Sequence, residues 1–174
     1  MTILAILGGA RGNGDTQALV AAVLGGRATT TLDLRQLDIQ HYEYEGELTR
    51  DDFATVVDAM QGHERIVFVT PVYWYAMSGR LKVLFDRFTD LVTVRKDLGR
   101  ALAGRTIFVL ATGSEPALPD GFEVPFRRTA EYLGMAYGGA FYTRTGNAGT
   151  ESGSAAHAAS VFGHRILAET AASD

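Results

Sequence analysis

Short apolar runs and more polar stretches alternate along the chain. The runs Ile3–Leu7, Ile66–Val69 and Ile107–Leu110 are apolar at odd and even positions alike. That pattern is typical of strands buried on both faces of a parallel sheet. Thr29–Leu34 is more polar and predicts a weaker strand, and Ala136–Thr143 predicts a fifth.

Between these runs, apolar residues recur with a period near 3.6, which predicts amphipathic helices. The clearest pattern follows Ser78 and predicts one helix over Leu81–Val92. Thr49 is a plausible N-cap of the preceding helix, which contains Phe53, and Asp52 lies near the positive end of that helix. The apolar faces of the five predicted helices lie in Leu19, Val20 and Val23; Phe53, Val56, Val57 and Met60; Leu81–Val92; Phe126, Ala130 and Leu133; and Ala156–Glu169.

The resulting order, βαβαβαβαβα, predicts an α/β fold with right-handed crossovers. Five strands in 174 residues match the flavodoxin-like three-layer sandwich, with a parallel sheet in the order 2-1-3-4-5 and helices on both faces. We expect a single domain over residues 1–174 and a flexible loop over Gly146–Ser154. In such folds ligands bind beyond the carboxyl ends of the strands.

Composition narrows the function classes. A net charge of -4 and a pI near 5.5 argue against binding to nucleic acid or to an anionic membrane surface. The absence of cysteine excludes disulfides, thiolate metal sites and cysteine nucleophiles. No stretch approaches the roughly 20 apolar residues of a membrane span, and no basic leader precedes the first strand. We expect an untargeted, soluble, cytoplasmic protein.

The first candidate site is the loop Gly8–Thr16, between the first strand and the first helix. Its glycines, successive amide N–H groups and helix N-terminus favour an anion, and Arg11 and Thr16 add donors suited to phosphate. The loop fits neither a P-loop nor the dinucleotide fingerprint. We expect Asp15 to cap the helix, because its carboxylate would repel phosphate. A glycine-rich turn without a ligand is the alternative.

Two further loops are predicted at the same edge of the sheet. Thr70–Gly79 contains three consecutive aromatic residues, Tyr73, Trp74 and Tyr75, which cannot all face the core. We expect some of these rings to contact a ligand or another subunit; local packing is the alternative. Ala111–Pro116 is small and hydroxyl-rich, as suits a flat ring lying against the backbone, although a plain turn has the same composition.

These three loops, in order and spacing, resemble those of the NADPH-dependent FMN reductase and quinone reductase family of flavodoxin-like proteins. The most specific segment is Thr70–Gly79 with the following Leu81-Lys82-x-x-Phe85-Asp86-Arg87. The resemblance covers about two-thirds of the chain. The family's usual serine after the first glycine is Gly9 here, and its usual asparagine is Asp15. These departures remove a hydroxyl donor and add a negative charge.

The resemblance implies that the first loop binds the phosphate of FMN and that the other two loops lie along its isoalloxazine ring. The cofactor-binding residues that it implies are Gly9, Arg11, Asn13, Asp15, Thr16, Pro71, Val72, Tyr73, Trp74, Tyr75, Thr112, Gly113 and Ser114. No catalytic side chain is predicted, because the flavin carries the chemistry. No metal site is predicted either: His157 and His164 share a helix face without a suitably spaced carboxylate.

The implied activity is an oxidoreductase that passes hydride from NADPH or NADH through FMN to a small electron acceptor, such as a quinone or a flavin. The resemblance also implies a homodimer or a dimer of dimers. Two alternatives remain. One is a flavodoxin-type electron carrier, although such carriers are usually much more acidic. The other is a non-catalytic dimeric scaffold that has lost tight FMN binding.

Overall fold

A five-stranded parallel sheet forms the centre of the protein in a computed structural model that describes residues 2–12, 14–25, 27, 29–44, 51–147 and 153–168. The strands are β1 (Ile3–Leu7), β2 (Thr30–Asp33), β3 (Arg65–Pro71), β4 (Thr106–Gly113) and β5 (Ala136–Arg144). The strand order is β2-β1-β3-β4-β5 and all neighbours are parallel. The predicted fold and strand order are therefore confirmed.

Helices cover both faces of this sheet. The helices are α1 (Asp15–Leu24), α2 (Phe53–Gln61), α3 (Gly79–Arg87), α4 (Asp90–Thr93), α5 (Lys96–Arg100), α6 (Val124–Tyr132) and α7 (Ser154–Leu167). Helices α2, α3, α4 and α6 pack on one face of the sheet, and helices α1 and α7 pack on the other.

The central strands are buried on both sides, which explains their continuous apolar runs. In β1, Leu4 and Ile6 belong to the core on the α3 side, whereas Ile3 and Ala5 belong to the core on the α1 side. Successive side chains of a strand point to opposite faces, so both sets must be apolar. The edge strand β2 is partly exposed along its whole length, as its more polar sequence predicted.

The prediction of a single helix over Leu81–Val92 is wrong. Helix α3 ends at Arg87, and α4 and the unpredicted α5 follow. The buried Arg87 guanidinium donates a hydrogen bond to Asp90 across this break. Phe88 and Leu91 are both buried in the same core, so the apolar periodicity continues although the helix does not. Periodicity alone could not locate the break.

Smaller differences lie at the element boundaries. Strands β3 and β4 run further than predicted, to Pro71 and Gly113, which brings both strands into the candidate loops. Thr49, the predicted cap of α2, lies outside the described residues; Asp51 instead accepts a hydrogen bond from the Phe53 amide at 3.1 Å. Most of the predicted flexible loop, residues 148–152, also lies outside them.

Within the part of the chain that the structure describes, no helix is both long and apolar enough to cross a membrane. In the same part of the chain, no group of three or more histidine, cysteine or acidic side chains is arranged to hold a metal ion. His157 and His164 are exposed on α7. In an open parallel sheet of this kind, ligands bind at the edge where the carboxyl ends of the strands meet.

Candidate functional site

The three predicted loops meet at the carboxyl edge of the sheet around a pocket of about 150 Å³. Parallel pairing sets this arrangement, because Leu7 of β1 pairs with Val69 of β3, and Pro71 pairs with Thr112 of β4. A fourth segment, just after β5, also contributes. The pocket is lined by Gly9, Ala10, Arg11, Gly14, Asp15, Thr16, Pro71, Tyr73, Thr112 and Thr145.

Glycines let the first loop turn closely over the sheet. The Gly8 amide donates a hydrogen bond to Val69 O at 2.7 Å. A Cβ atom on Gly8 would lie 2.9 Å from Ser78 Oγ, and one on Gly9 would lie 2.6 Å from Thr16 Oγ1. Both separations are too short for a side chain to fit without a shift. The first loop therefore reaches α1 by a path that a larger residue would disturb.

Asp15 does not cap α1, contrary to expectation. Gly14 occupies the N-cap position, with no side-chain cap bond, and Asp15 is the first helical residue. Its Oδ1 atom accepts a hydrogen bond from the Gly146 amide at 3.0 Å. The carboxylate thus joins the start of α1 to the segment after β5, a connection that the local sequence could not reveal.

A second arginine, Arg35, lies against the first loop. Its guanidinium nitrogens are 3.1 and 3.2 Å from the position of a Cβ on Gly12. Arg35 is held by Asp33, the last residue of β2, through hydrogen bonds that include Nε to Oδ1 at 3.0 Å. Sequence reasoning missed this pair, although its place directly after β2 put it at the same edge.

The charge of Arg35 is balanced by its partner. Partial burial alone would raise the pKa of Asp33, but hydrogen bonds from Arg35 outweigh this and hold the pKa below its usual value. Asp33 is therefore ionised at neutral pH. Arg11, in contrast, is exposed, and no described residue forms an ion pair or hydrogen bond with its guanidinium. It is the cation of this loop that remains available to an anion.

The aromatic loop is a tight turn with an uncommon backbone. Tyr73 and Ala76 exchange two backbone hydrogen bonds, of 2.9 and 3.1 Å. Between them, Trp74 and Tyr75 have positive φ angles of 49° and 64°. Two successive positive φ angles suit Asn-Gly and are costly for bulky side chains, by roughly 1–3 kcal/mol each. This strain is stored beside the pocket.

The three rings of this turn are exposed and lie outside the core, as expected of three adjacent aromatic residues; their contact with a ligand or another subunit stays a prediction. The exposed fractions are 49% for Tyr73, 93% for Trp74 and 65% for Tyr75. Behind the turn, Thr70 is buried, and its hydroxyl accepts a hydrogen bond from the Ser78 amide at 3.0 Å. The turn is thus anchored at its base and carries its aromatic rings outward.

A second pocket of about 160 Å³ lies on the other side of this turn, lined by Val72, Trp74, Tyr75, Ser114 and Glu115. Its floor is tightly packed: the Val72 amide donates to Thr112 O at 2.6 Å. A Cβ on Gly113 would lie 3.0 Å from Tyr142 Oη and 3.1 Å from Val72 Cβ. Residues of the segment Pro71–Tyr75 line both pockets.

Comparison with known proteins decides the family. Residues 1–147 match the family model described as NADPH-dependent FMN reductase. The chain belongs to this family. It is an oxidoreductase of the flavodoxin-like fold that uses FMN with NADPH or NADH as reductant, as the resemblance implied.

One curated relative and two solved structures illustrate the match. The "Putative NAD(P)H-dependent FMN-containing oxidoreductase YwqN" of Bacillus subtilis (strain 168) is 24% identical over 149 residues, 80% of this chain and 82% of that protein. The Trp repressor binding protein of Bacillus subtilis shares 23% identity with a TM-score of 0.75, covering 98% of this chain and 100% of the other. An NADPH-quinone reductase of P. pentosaceus shares 16% identity with a TM-score of 0.66, over 98% and 100% of the two chains. At these identities the two structures show the fold alone.

The donors of the first pocket fit the phosphate that an FMN reductase must hold. Thr16 is 6% exposed and lines the pocket. Among the described residues, none forms a hydrogen bond with its hydroxyl, and no fully buried polar side-chain atom lacks a partner. The hydroxyl therefore faces the pocket rather than the protein. Together with Arg11 and the amides at the start of α1, it forms a donor set suited to an anion.

Of the residues that the resemblance implies to bind the cofactor, all but one are described and lie around the two pockets or in the strand ends that form them. The exception, Asn13, lies outside the described residues. Sequence reasoning missed two residues after β5: Thr145, which lines the first pocket, and Gly146, whose amide donates to Asp15. Only the parallel pairing of β5 with β4, the last pair in the sheet, brings them there.

Proposed function

We propose that the two pockets hold FMN and that the protein passes hydride from NADPH or NADH to a small planar acceptor such as a quinone or a free flavin. The observation that carries this proposal is the pairing of the two pockets. A pocket with unused anion donors lies next to one walled by exposed aromatic rings, and the loop after β3 lines both. That pairing matches a ligand with a phosphate at one end and a flat ring system at the other.

The residues have separate roles in this proposal. Thr16 and Arg11 hold the phosphate, as charged and hydroxyl donors do. The strand ends at Thr112–Gly113 and the backbone of Pro71–Val72 lie along the ring, where small residues permit close approach. When bound, FMN supplies the redox chemistry, and the protein supplies position and electrostatics.

Trp74 and Tyr75 are proposed to contact the acceptor or the nicotinamide. Their rings are largely exposed and flank the second pocket. Aromatic rings stack on planar π systems in offset arrangements, and each such pair stabilises a complex by about 0.5–1.5 kcal/mol beyond area burial. The protein would thereby favour planar acceptors over compact ones, and the strained turn would hold the rings in place before a ligand arrives.

The proposal is tested by steady-state NADPH oxidation with a panel of acceptors: a substituted benzoquinone, free FMN and ferricyanide as a non-planar control. We expect turnover with the planar acceptors, and a higher KM for them in Trp74→Ala than in Trp74→Phe. Equal KM values in both variants would show that the ring of residue 74 does not stack on the acceptor. Flavin-loaded protein that stays oxidised under excess NADPH and NADH would contradict the whole proposal and favour an electron carrier.

We further propose that the protein is a homodimer, as the family resemblance implies. The exposed aromatic turn is a surface suited to such contact, because aromatic residues are enriched at protein interfaces. Sedimentation velocity at micromolar concentration tests this proposal directly. A monomer at every concentration would exclude a stable dimer, and the turn would then serve ligand binding alone.

A further inference from the structure

Among the described residues that line the first pocket, Asp15 is the acidic one. It is half-buried and stands at the first position of α1, where the helix N-terminus favours negative charge. A carboxylate here occupies part of the positive field that an anionic ligand would use. Its presence opposes the binding of a phosphate, which carries nearly two negative charges at neutral pH.

The carboxylate also has a structural partner. Its Oδ1 atom accepts the Gly146 amide at 3.0 Å. The preceding Thr145 lines the pocket, and its amide donates to Gly113 O at 2.8 Å. Gly146 has a φ of 87°, which glycine adopts without strain. Asp15 therefore fastens the segment after β5 as the fourth wall of the pocket.

These two roles have opposite effects on a flavin with a phosphate. The hydrogen bond to Gly146 keeps the wall in place for any flavin, whereas the negative charge weakens binding only when the ligand is an anion. We propose that Asp15 sets the specificity of this pocket, so that it accepts uncharged flavin such as riboflavin nearly as well as FMN. This inference rests on the proposed function, because it assumes that flavin binds here.

Two substitutions separate the roles. Asp15→Asn removes the charge but keeps an oxygen acceptor for the Gly146 amide, whereas Asp15→Ala removes both. Asp86→Asn is the control for net charge, because Asp86 is exposed on α3, pairs with Lys82 and lines neither pocket. Trp74 is the one tryptophan in the chain and borders the second pocket, so quenching of its fluorescence reports both flavins.

We expect the wild-type dissociation constants for FMN and riboflavin to differ by less than about tenfold. Asp15→Asn should lower the dissociation constant of FMN by about tenfold or more and leave that of riboflavin unchanged, because only the anionic ligand is repelled by the carboxylate. Asp15→Ala should bind riboflavin more weakly than Asp15→Asn does, because the segment after β5 loses its hydrogen bond to residue 15. Asp86→Asn should behave as wild type with both ligands.

The proposal is overturned if Asp15→Asn changes the ratio of the FMN and riboflavin dissociation constants no more than Asp86→Asn does. It is also overturned if wild type already prefers FMN by a hundredfold or more. If Asp15→Ala and Asp15→Asn bind riboflavin equally, the role of the carboxylate in holding the wall is excluded. A complete lack of quenching by either flavin would instead contradict the proposed function itself.

Discussion

The two edges of the sheet use the same kinds of polar residue in opposite ways. At the amino edge, Arg65 is buried and donates to Ile166 O at 3.2 Å, to Ala168 O at 3.1 Å and to Thr106 Oγ1 at 3.0 Å. Arg105 similarly donates to carbonyl oxygens at the end of α2, including Met60 O at 3.0 Å. At the carboxyl edge, Arg11 and Thr16 have no such partner among the described residues.

The backbone differs between the edges in the same sense. Carbonyl groups that the helix ends leave without partners at the amino edge are satisfied by arginine side chains, which stabilises the fold. The carboxyl edge instead contains the strained Trp74-Tyr75 turn and close glycine turns. The arginines of the amino edge thus stabilise the fold, whereas Arg11 and Thr16 at the carboxyl edge remain available to a ligand. Four predictions test this contrast, in order of decreasing expected effect.

The largest effect is expected from Arg65→Met. The substitution leaves the carbonyl groups at the end of α7 without a donor, and we expect the free energy of unfolding to fall by about 3 kcal/mol. Urea denaturation measures this, with Arg128→Met as control, because Arg128 is exposed on α6. Flavin affinity of the folded variant should not change. A loss below 0.5 kcal/mol, the size expected of a surface substitution, would show that the amino edge does not depend on this arginine.

Arg11→Ala should change ligand binding and leave the stability of the fold unchanged, the opposite of Arg65→Met. We expect FMN binding to weaken by roughly 1.5–3 kcal/mol, the usual size of a hydrogen bond to a charged group, with riboflavin affinity and unfolding unchanged. Titration of Trp74 fluorescence with both flavins measures the difference, and Arg128→Ala serves as the charge-matched control. An unchanged FMN dissociation constant would place the phosphate elsewhere.

The double substitution Trp74→Asn with Tyr75→Gly tests the strained turn. Asn-Gly suits two positive φ angles, so we expect the free energy of unfolding to rise by about 1–2 kcal/mol, while the KM for a planar acceptor rises. Tyr132→Asn is the control, because the exposure of Tyr132 lies between those of Trp74 and Tyr75 but Tyr132 belongs to the helix α6. A stability gain without any change in KM would mean that the turn has no role in acceptor binding.

The smallest effect concerns Asp33 and pH. Because its pKa is lowered in the folded state, the Asp33–Arg35 pair stabilises the protein above the usual carboxyl pKa and loses that contribution as pH falls through the folded value. Asp33→Asn should therefore flatten the pH dependence of unfolding below about pH 4, by less than about 1 kcal/mol. Urea unfolding from neutral to acidic pH measures it, and identical slopes in both proteins would show that the pair does not contribute.

Sequence patterns were sufficient for the sheet and for most of its carboxyl edge. Ile3–Leu7 and Ile66–Val69 are recognisable because burial on both faces requires apolar residues at every position. Parallel topology then puts the loops that follow these strands at one edge. Trp74 and its neighbours stood out because three adjacent aromatic rings cannot all be buried.

Tertiary contacts account for what the patterns did not reveal. Arg35 and Asp33 are adjacent to the site only because β2 pairs with β1. The bond between Asp15 and Gly146 joins residues 131 positions apart, and no local signal announces such a partner. The end of α3 at Arg87 was hidden because α4 continues the same apolar periodicity. In the first two cases the deciding neighbour is distant in sequence.

The most direct test of the account is an anaerobic titration of the purified, FMN-loaded protein with NADPH, followed by its visible flavin absorbance. We expect stoichiometric FMN, loss of the oxidised flavin band on addition of NADPH, and its return when a quinone is added. Arg11→Ala protein prepared in the same way should lose much of its FMN on gel filtration. Wild-type protein that retains no flavin, or whose band persists under excess NADPH and NADH, would contradict the assignment of the carboxyl edge as the site of flavin reduction.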